Sequence, residues 1–212
     1  IFMQDRIECR WLWNSNYHTV LQWQQERREK IFNQEAPEVL IFTEHQSCYT
    51  LGKRGGQFLT ETPLPVYQSN RGGLATWHGE GQLVLYPIIN LRARGIGSKD
   101  FIRALEQSML DLLNDIGIEA RIKESCPGLW VGDRKIASIG LEIKKGISNH
   151  GCALNISNDL SLFSAIEPCG FPCLELSSCL LETGKYLSIH RIGQLWQEKM
   201  IRWLQKHPLP LS

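Results

Sequence analysis

Long apolar runs are missing from this sequence. The longest mainly apolar stretch, Leu83 to Leu91, is broken by Tyr86, Pro87 and Asn90, far short of the ~20 residues a helix needs to cross a bilayer. An excess of either charge is missing too: 23 Lys and Arg face 22 Asp and Glu, so no overall field draws the chain to nucleic acid or anionic lipid. The seven cysteines (Cys9, Cys48, Cys126, Cys152, Cys169, Cys173 and Cys179) include no Cys-x-x-Cys pair. Their odd number and irregular spacing make a poor disulfide framework. Cys169, Cys173, Cys179 and His190 invite a zinc reading, but their gaps do not repeat, and no metal is expected. Residues Ile1 to Asp5 lack the basic-then-apolar order of an export signal. Reduced thiols in a cytoplasmic setting are the expectation. Low-complexity tracts and internal repeats are absent as well.

What is present is an ordinary globular composition, 42% hydrophobic and 21% charged, over a length that suits a buried core. Helical periodicity predicts a first helix over Tyr17 to Asn33, with Tyr17, Val20, Leu21, Ile31 and Phe32 inward and a solvated charge run from Glu26 to Lys30. A second is predicted from Ser98 as N-cap, with Asp100 in its first turn and Gly117 as its stop. A third starts near Ser188 and ends before Pro208. Strand candidates are Val39–Thr43, Leu83–Leu91, Ile118–Lys123, Leu129–Val131, Lys135–Lys144 and Cys152–Ser157, with a hairpin turn at Gly132-Asp133. Gly52 to Asn70 reads as an ordered surface loop. Several strands are neighbours in sequence and only three helices lie among them, which favours an α+β fold: a mixed β-sheet with flanking helices.

The residues able to do chemistry fall in clusters. Arg71 to Gln82 carries Gly72, Gly73, Gly79 and Gly81 just before an apolar strand, a composition that lets backbone approach a ligand closely, with Arg71 and His78 as polar handles. No Gly-Lys-Ser/Thr follows, so it is not a phosphate loop. Asp133 to Gly140 follows the hairpin turn; alternation places Lys135, Ala137 and Ile139 on one face and Ile136, Ser138 and Gly140 on the other. Glu167 to Cys173 sets Cys169 between Pro168 and Gly170, a loop setting that favours an exposed, reactive thiol over an inert core one.

Together these clusters resemble one family. Arg-Gly-Gly-x-x-Thr-x-His-Gly-x-Gly-Gln (Arg71–Gln82), Lys-Ile-x-Ser-Ile-Gly (Lys135–Gly140), His-Gly-x-Ala-Leu-Asn (His150–Asn155) and Pro-Cys-Gly (Pro168–Gly170), with Thr50–Arg54 ahead of them, are similar in order and spacing to the lipoyl/octanoyl transferases of lipoate biosynthesis. The resemblance implies the α+β fold shared with biotin and lipoate protein ligases, and one catalytic domain over residues 1–212. It implies octanoyl-acyl carrier protein as donor, and as acceptor a lysine on lipoyl domains of 2-oxoacid dehydrogenases or on the glycine-cleavage H protein, with no cofactor. It makes Cys169 the acyl-thioester nucleophile and Lys135 the residue that tunes it. It makes Arg71, Gly72, Gly73, Leu74, Ala75, Thr76, Trp77 and His78, Ser138, Ile139 and Gly140, and Gly151, Cys152 and Ala153 the substrate-binding segments. One departure stands out: Glu80 replaces the proline usual between the two glycines after the histidine.

The reaction so implied exchanges a thioester for an amide, in two acyl transfers through a cysteine. Each needs a group that exchanges a proton near neutral pH, a task a partly buried Lys135 can perform. Other functions of the same fold are an ATP-dependent lipoate or biotin protein ligase and an amidotransferase acting between lipoyl domains. A further alternative is an inactive module that only binds lipoyl domains. About forty residues follow Cys169, mostly one helical pattern, which is short for the extra C-terminal domain usual in ligases.

Overall fold

The computed structural model describes residues 7–123, 126–167 and 174–210. Its elements in chain order are β1 (Glu8–Ser15), α1 (Tyr17–Phe32), β2 (Val39–His45), β3 (Cys48–Leu51), β4 (Val66–Gln68), β5 (Thr76–His78), β6 (Gln82–Ile88), α2 (Ser98–Asp115), β7 (Arg121–Ile122), β8 (Gly128–Val131), β9 (Arg134–Lys144), β10 (Ile147–Asn155), a 3₁₀ segment (Leu160–Ala165), α3 (Cys179–Thr183) and α4 (Ile189–Gln205). Seven strands form one sheet in the order β1-β2-β6-β10-β9-β8-β7, and β4-β3-β5 form a small second sheet. The β1–β2 pair is parallel and the other pairs of the large sheet are antiparallel. This is the mixed sheet with flanking helices that the strand-rich sequence implies.

Strand alternation sorts the core into two layers. Leu40 and Phe42 of β2 and Leu83 and Leu85 of β6 face α2 and α4. Val39 and Ile41, with Val84, Tyr86 and Ile88, face α1 through Val20 and Ile31. Several sequence-based expectations are corrected here. Phe32 is not in the inward stripe; it is exposed, with Lys145 Nζ 4.3 Å from its ring centroid. Arg28, assigned to a solvated charge run, is buried and paired with Glu142 at 2.9 Å. Gly97, not Ser98, is the N-cap of α2. The strand expected over Ile118–Lys123 shrinks to Arg121–Ile122, and the last long strand is Ile147–Asn155 rather than Cys152–Ser157. The third helix is as expected: Ser188 caps α4 by accepting from Arg191 N–H.

Two irregularities in the central sheet shape the site. In β9, Ser138 and Ala137 pair with Gly128 and Leu129, but Lys135 already pairs with Trp130, so Ile136 is an extra residue. A bulge of this kind re-aims side chains. It places Ile136 and Ala137 together in the core and turns Lys135 to the same cavity as Ser138, against the strict alternation read from the sequence. In β10, the ladder to β6 stops at Cys152↔Leu85, just before Pro87, which has no N–H to offer. There His150 takes a left-handed φ of 58°. Gly151 lies so close to β6 that a Cβ would stand 1.9 Å from Leu85 O.

Candidate active site

A cavity of about 380 Å³ opens over this irregular stretch. It gathers the segments that the sequence set apart: Arg71 to Thr76, His78, Lys135, Ser138 to Gly140 and Gly151 to Ala153 all line it. Trp77 does not. Its side chain is buried on the other side of β5, against Phe163 in the small core under the second sheet. Cys169 lies outside the described residues. The cavity also has walls outside the expected binding segments, two of them, His150 and Asn155, at the ends of the His150–Asn155 motif. Tyr17, Val84, Tyr86, His150, Asn155 and Cys126 belong to it; for Tyr17 and Tyr86 the only available signal was an aromatic at a predicted core position.

The Arg71 loop is held by its own arginine. The Arg71 guanidinium donates to Thr50 O at 2.7 Å, Leu74 O at 2.6 Å, Gly72 O at 3.0 Å and Thr50 Oγ1 at 2.9 and 3.1 Å. Gly72 N–H then joins the loop to β9 by donating to Leu141 O at 3.0 Å. Arg71 is thus an organiser of the cavity wall, and a lysine lacks the planar fork needed to replace it.

A chain of side-chain amides fixes the state of His78. Ser177 O can only accept, so Asn155 Nδ2 donates to it at 3.0 Å and Asn155 Oδ1 faces Gln82 Nε2 at 3.0 Å. Gln82 Oε1 therefore faces His78 Nδ1 at 2.7 Å, and that nitrogen carries the proton. By the same reasoning His45 Nδ1 donates to Ser15 O at 3.2 Å, and Tyr86 OH donates to His45 Nε2 at 2.8 Å. Burial pushes His45 down to about 4, His78 to about 3 and His150 to about 4, so all three are neutral at pH 7.

These histidines make a stability prediction with a defined sign. Their folded values lie below the ~6.5 of an unfolded histidine, so below that pH the unfolded chain binds more protons. The stability they contribute is complete above pH ~6.5 and is lost as pH falls toward their folded values. The melting temperature is expected to drop between about pH 6.5 and pH 4. Melts that stay level across this range would show that these imidazoles titrate normally.

The described cysteines differ in reactivity. Burial pushes the thiols of Cys48 and Cys179 up to about 12, and that of Cys152 higher still, so these stay protonated and unreactive at neutral pH. Cys126 has a different setting, with its sulfur 3.1 Å from Lys135 Nζ. Among the described residues no group of three His, Cys, Asp or Glu is placed to hold a metal ion.

Glu80 sits at a turn that suits the proline it replaces. Gln82 N–H donates to Gly79 O at 3.2 Å and Gly81 has a φ of 80°. These are features of a type II turn, in which proline is favoured at the position Glu80 occupies. Glu80→Pro is expected to retain activity and to add about 0.4–1 kcal/mol of stability, read from denaturant midpoints. Loss of activity in a folded Glu80→Pro protein would instead assign the Glu80 carboxylate a specific contact.

The fold defines a class. Over 96% of this chain and 87% of that one, it superimposes on a lipoate protein ligase from T. acidophilum with bound lipoic acid, at a TM-score of 0.71 and 17% identity. It also superimposes on the biotin protein ligase of Aquifex aeolicus, at 0.56 and 12% over 96% and 71% of the two chains. Sequence narrows the class: the chain belongs to the lipoyl protein ligase A/B catalytic domain family, whose model matches residues 16–199. Its relatives include an octanoyltransferase of Laribacter hongkongensis, 46% identical over 68% of this chain and 70% of that one. Another is an octanoyltransferase of Psychromonas ingrahamii, 36% identical over 93% and 92%.

Proposed function

We infer that this protein is an acyltransferase that moves an octanoyl group from octanoyl-acyl carrier protein to a lysine of a lipoyl domain, through a thioester on Cys169. Residues 1–212 act as one catalytic domain in this reading, with no nucleotide, metal or cofactor. The observation that carries it is the single cavity joining Lys135 to the Arg71–Thr76 wall and to Gly140 and Gly151, in a chain whose relatives at 36–46% identity are octanoyltransferases.

The cavity suits an alkyl chain and a carbonyl at once. Six methylenes and a methyl removed from water contribute roughly 5 kcal/mol, at about 0.8 kcal/mol per carbon group. Val84, Ile139, Leu141 and Ala153 supply apolar wall along the sheet. At the Lys135 end the chemistry needs a proton carrier. In the first transfer a thiolate displaces the carrier thiol. In the second the acceptor amine attacks the enzyme thioester; the C–N bond forms, the C–S bond breaks, and one proton passes from the amine to the departing sulfur. Lys135 is buried, is the second residue of β9 and is held by its backbone, its N–H donating to Glu175 O and its carbonyl accepting from Ser177 N–H, each at 2.9 Å. A lysine fixed in this way is placed to carry that proton.

The test is transfer without nucleotide. Incubated with octanoyl-acyl carrier protein and an unmodified lipoyl domain, with chelator present and ATP absent, the protein is expected to give the octanoylated domain as a resolved mass. Dependence on ATP with stoichiometric AMP release would place the protein among the ligases instead. Recovery of activity only on adding zinc back would reverse the expectation that no metal is needed.

A further inference from the structure

One residue in contact with the Lys135 ammonium, Cys126, is not among the expected site residues. Lys135 Nζ donates to Cys126 Sγ at 3.1 Å, and both side chains are buried in the cavity wall. A tight turn makes the contact. A Cβ on Gly128 would fall 2.9 Å from Lys135 Cε and 2.2 Å from Ala137 O, and Gly128 has a φ of 125°. Only glycine lets the Cys126–Gly128 turn lie this close across the lysine stem. The turn is anchored on two sides: Gly128 N–H donates to Glu106 Oε1 of α2 and Trp130 Nε1 donates to Cys126 O, each at 3.3 Å.

The other groups facing this lysine make its surroundings specific. The Trp130 ring centroid is 5.6 Å from Lys135 Nζ and 4.3 Å from Lys123 Nζ. Glu106, whose carboxyl is pushed up by burial, acts on Lys135 across the Gly128 turn. The 175–177 segment meets Lys135 through backbone. Among the described residues, Cys126 supplies the side-chain acceptor that touches the ammonium.

We propose that Cys126 is a positioning residue of the acyl-transfer reaction, its sulfur receiving the Lys135 ammonium and setting how readily that group gives up its proton. This rests on the reading of Lys135 as the proton carrier. A thiol is a weak acceptor. It orients the ammonium without holding its proton as tightly as a carboxylate does, and removing it takes away one acceptor from a buried ammonium. During the second transfer Lys135 Nζ takes a proton from the attacking amine and returns it to the departing sulfur, and Cys126 holds the ammonium in between.

The experiment is the pH dependence of single-turnover discharge of the preformed acyl-enzyme onto a lipoyl domain. The parent is compared with Cys126→Asp, Cys126→Ala and Cys126→Ser, with Lys135→Ala run alongside and thermal melts establishing that each is folded. Cys126→Asp is expected to move the ascending limb up by about one pH unit or more, the effect of an opposite charge in contact. Cys126→Ala is expected to move it down, and Cys126→Ser, which keeps a neutral acceptor, to stay near the parent. If Cys126→Asp does not fold, the separation between Ala and Ser still decides. Superimposed limbs in folded Ala and Ser proteins, with a slow Lys135→Ala, would overturn the role of Cys126 and leave that of Lys135 standing. A Lys135→Ala protein that discharges at the parental rate overturns both. Failure of Cys126→Ala to form any acyl-enzyme would make Cys126 the nucleophile and also overturn the proposal.

Discussion

Lys135→Ala is expected to slow acyl loading and acyl discharge alike, by about 10²–10⁴-fold, the usual contribution of a positioned proton carrier, while the protein remains folded. The backbone at this position is tied to β8 and to the 175–177 segment without help from the side chain, so truncation leaves the sheet in place. Arginine is not expected to rescue activity: a guanidinium supplies charge but does not surrender a proton at neutral pH. The role also predicts a difference in thiol reactivity. A free cysteine has a pKa of about 8.5, and a nearby ammonium lowers it. Alkylation of Cys169 by iodoacetamide, with the other six cysteines replaced where tolerated, is expected to extend to lower pH in the parent than in Lys135→Ala. Identical alkylation profiles would mean that Lys135 does not sustain the thiolate.

The parts of this fold that were legible in the sequence are those set by local pattern. The α2 stripe from Phe101 to Leu113, the Ser188 cap and the Gly132-Asp133 turn each follow from spacing or turn chemistry within a few residues. The lining of the cavity was legible for a different reason: close backbone approach leaves glycine at Gly140 and Gly151, and the motif resemblance runs through them.

What was not legible depends on contacts distant in sequence. The Ile136 bulge exists because β9 must pair with β8 on one side and β10 on the other, and nothing in the run Arg134 to Gly140 marks the extra residue. Without it, strict alternation would place Lys135 and Ser138 on opposite faces. Arg28 looked solvated because its partner, Glu142, is 114 residues away. His150 was given no role, yet it is a cavity wall residue; its left-handed backbone stands where Pro87 ends a ladder on the neighbouring strand. Cys126 is, in the sequence, one of seven cysteines with no distinguishing pattern, since its meaning lies in contact with a lysine nine positions on.

The largest single effect is expected at Cys169. Replacing the proposed nucleophile of a two-step acyl transfer is expected to remove the covalent path, and losses of roughly 10³-fold or more are usual for such residues. Burial raises the thiols of Cys9, Cys48, Cys152 and Cys179, so they are poor substitutes; Cys173 and Cys126 are the rivals to be separated from Cys169. Intact-protein mass spectrometry after incubation with octanoyl-acyl carrier protein addresses this directly. The account predicts one octanoyl adduct per chain, released by hydroxylamine, present in the parent and in Cys173→Ala and Cys126→Ala, and absent from Cys169→Ser and Cys169→Ala. A hydroxylamine-sensitive octanoyl adduct that persists in Cys169→Ala would contradict it.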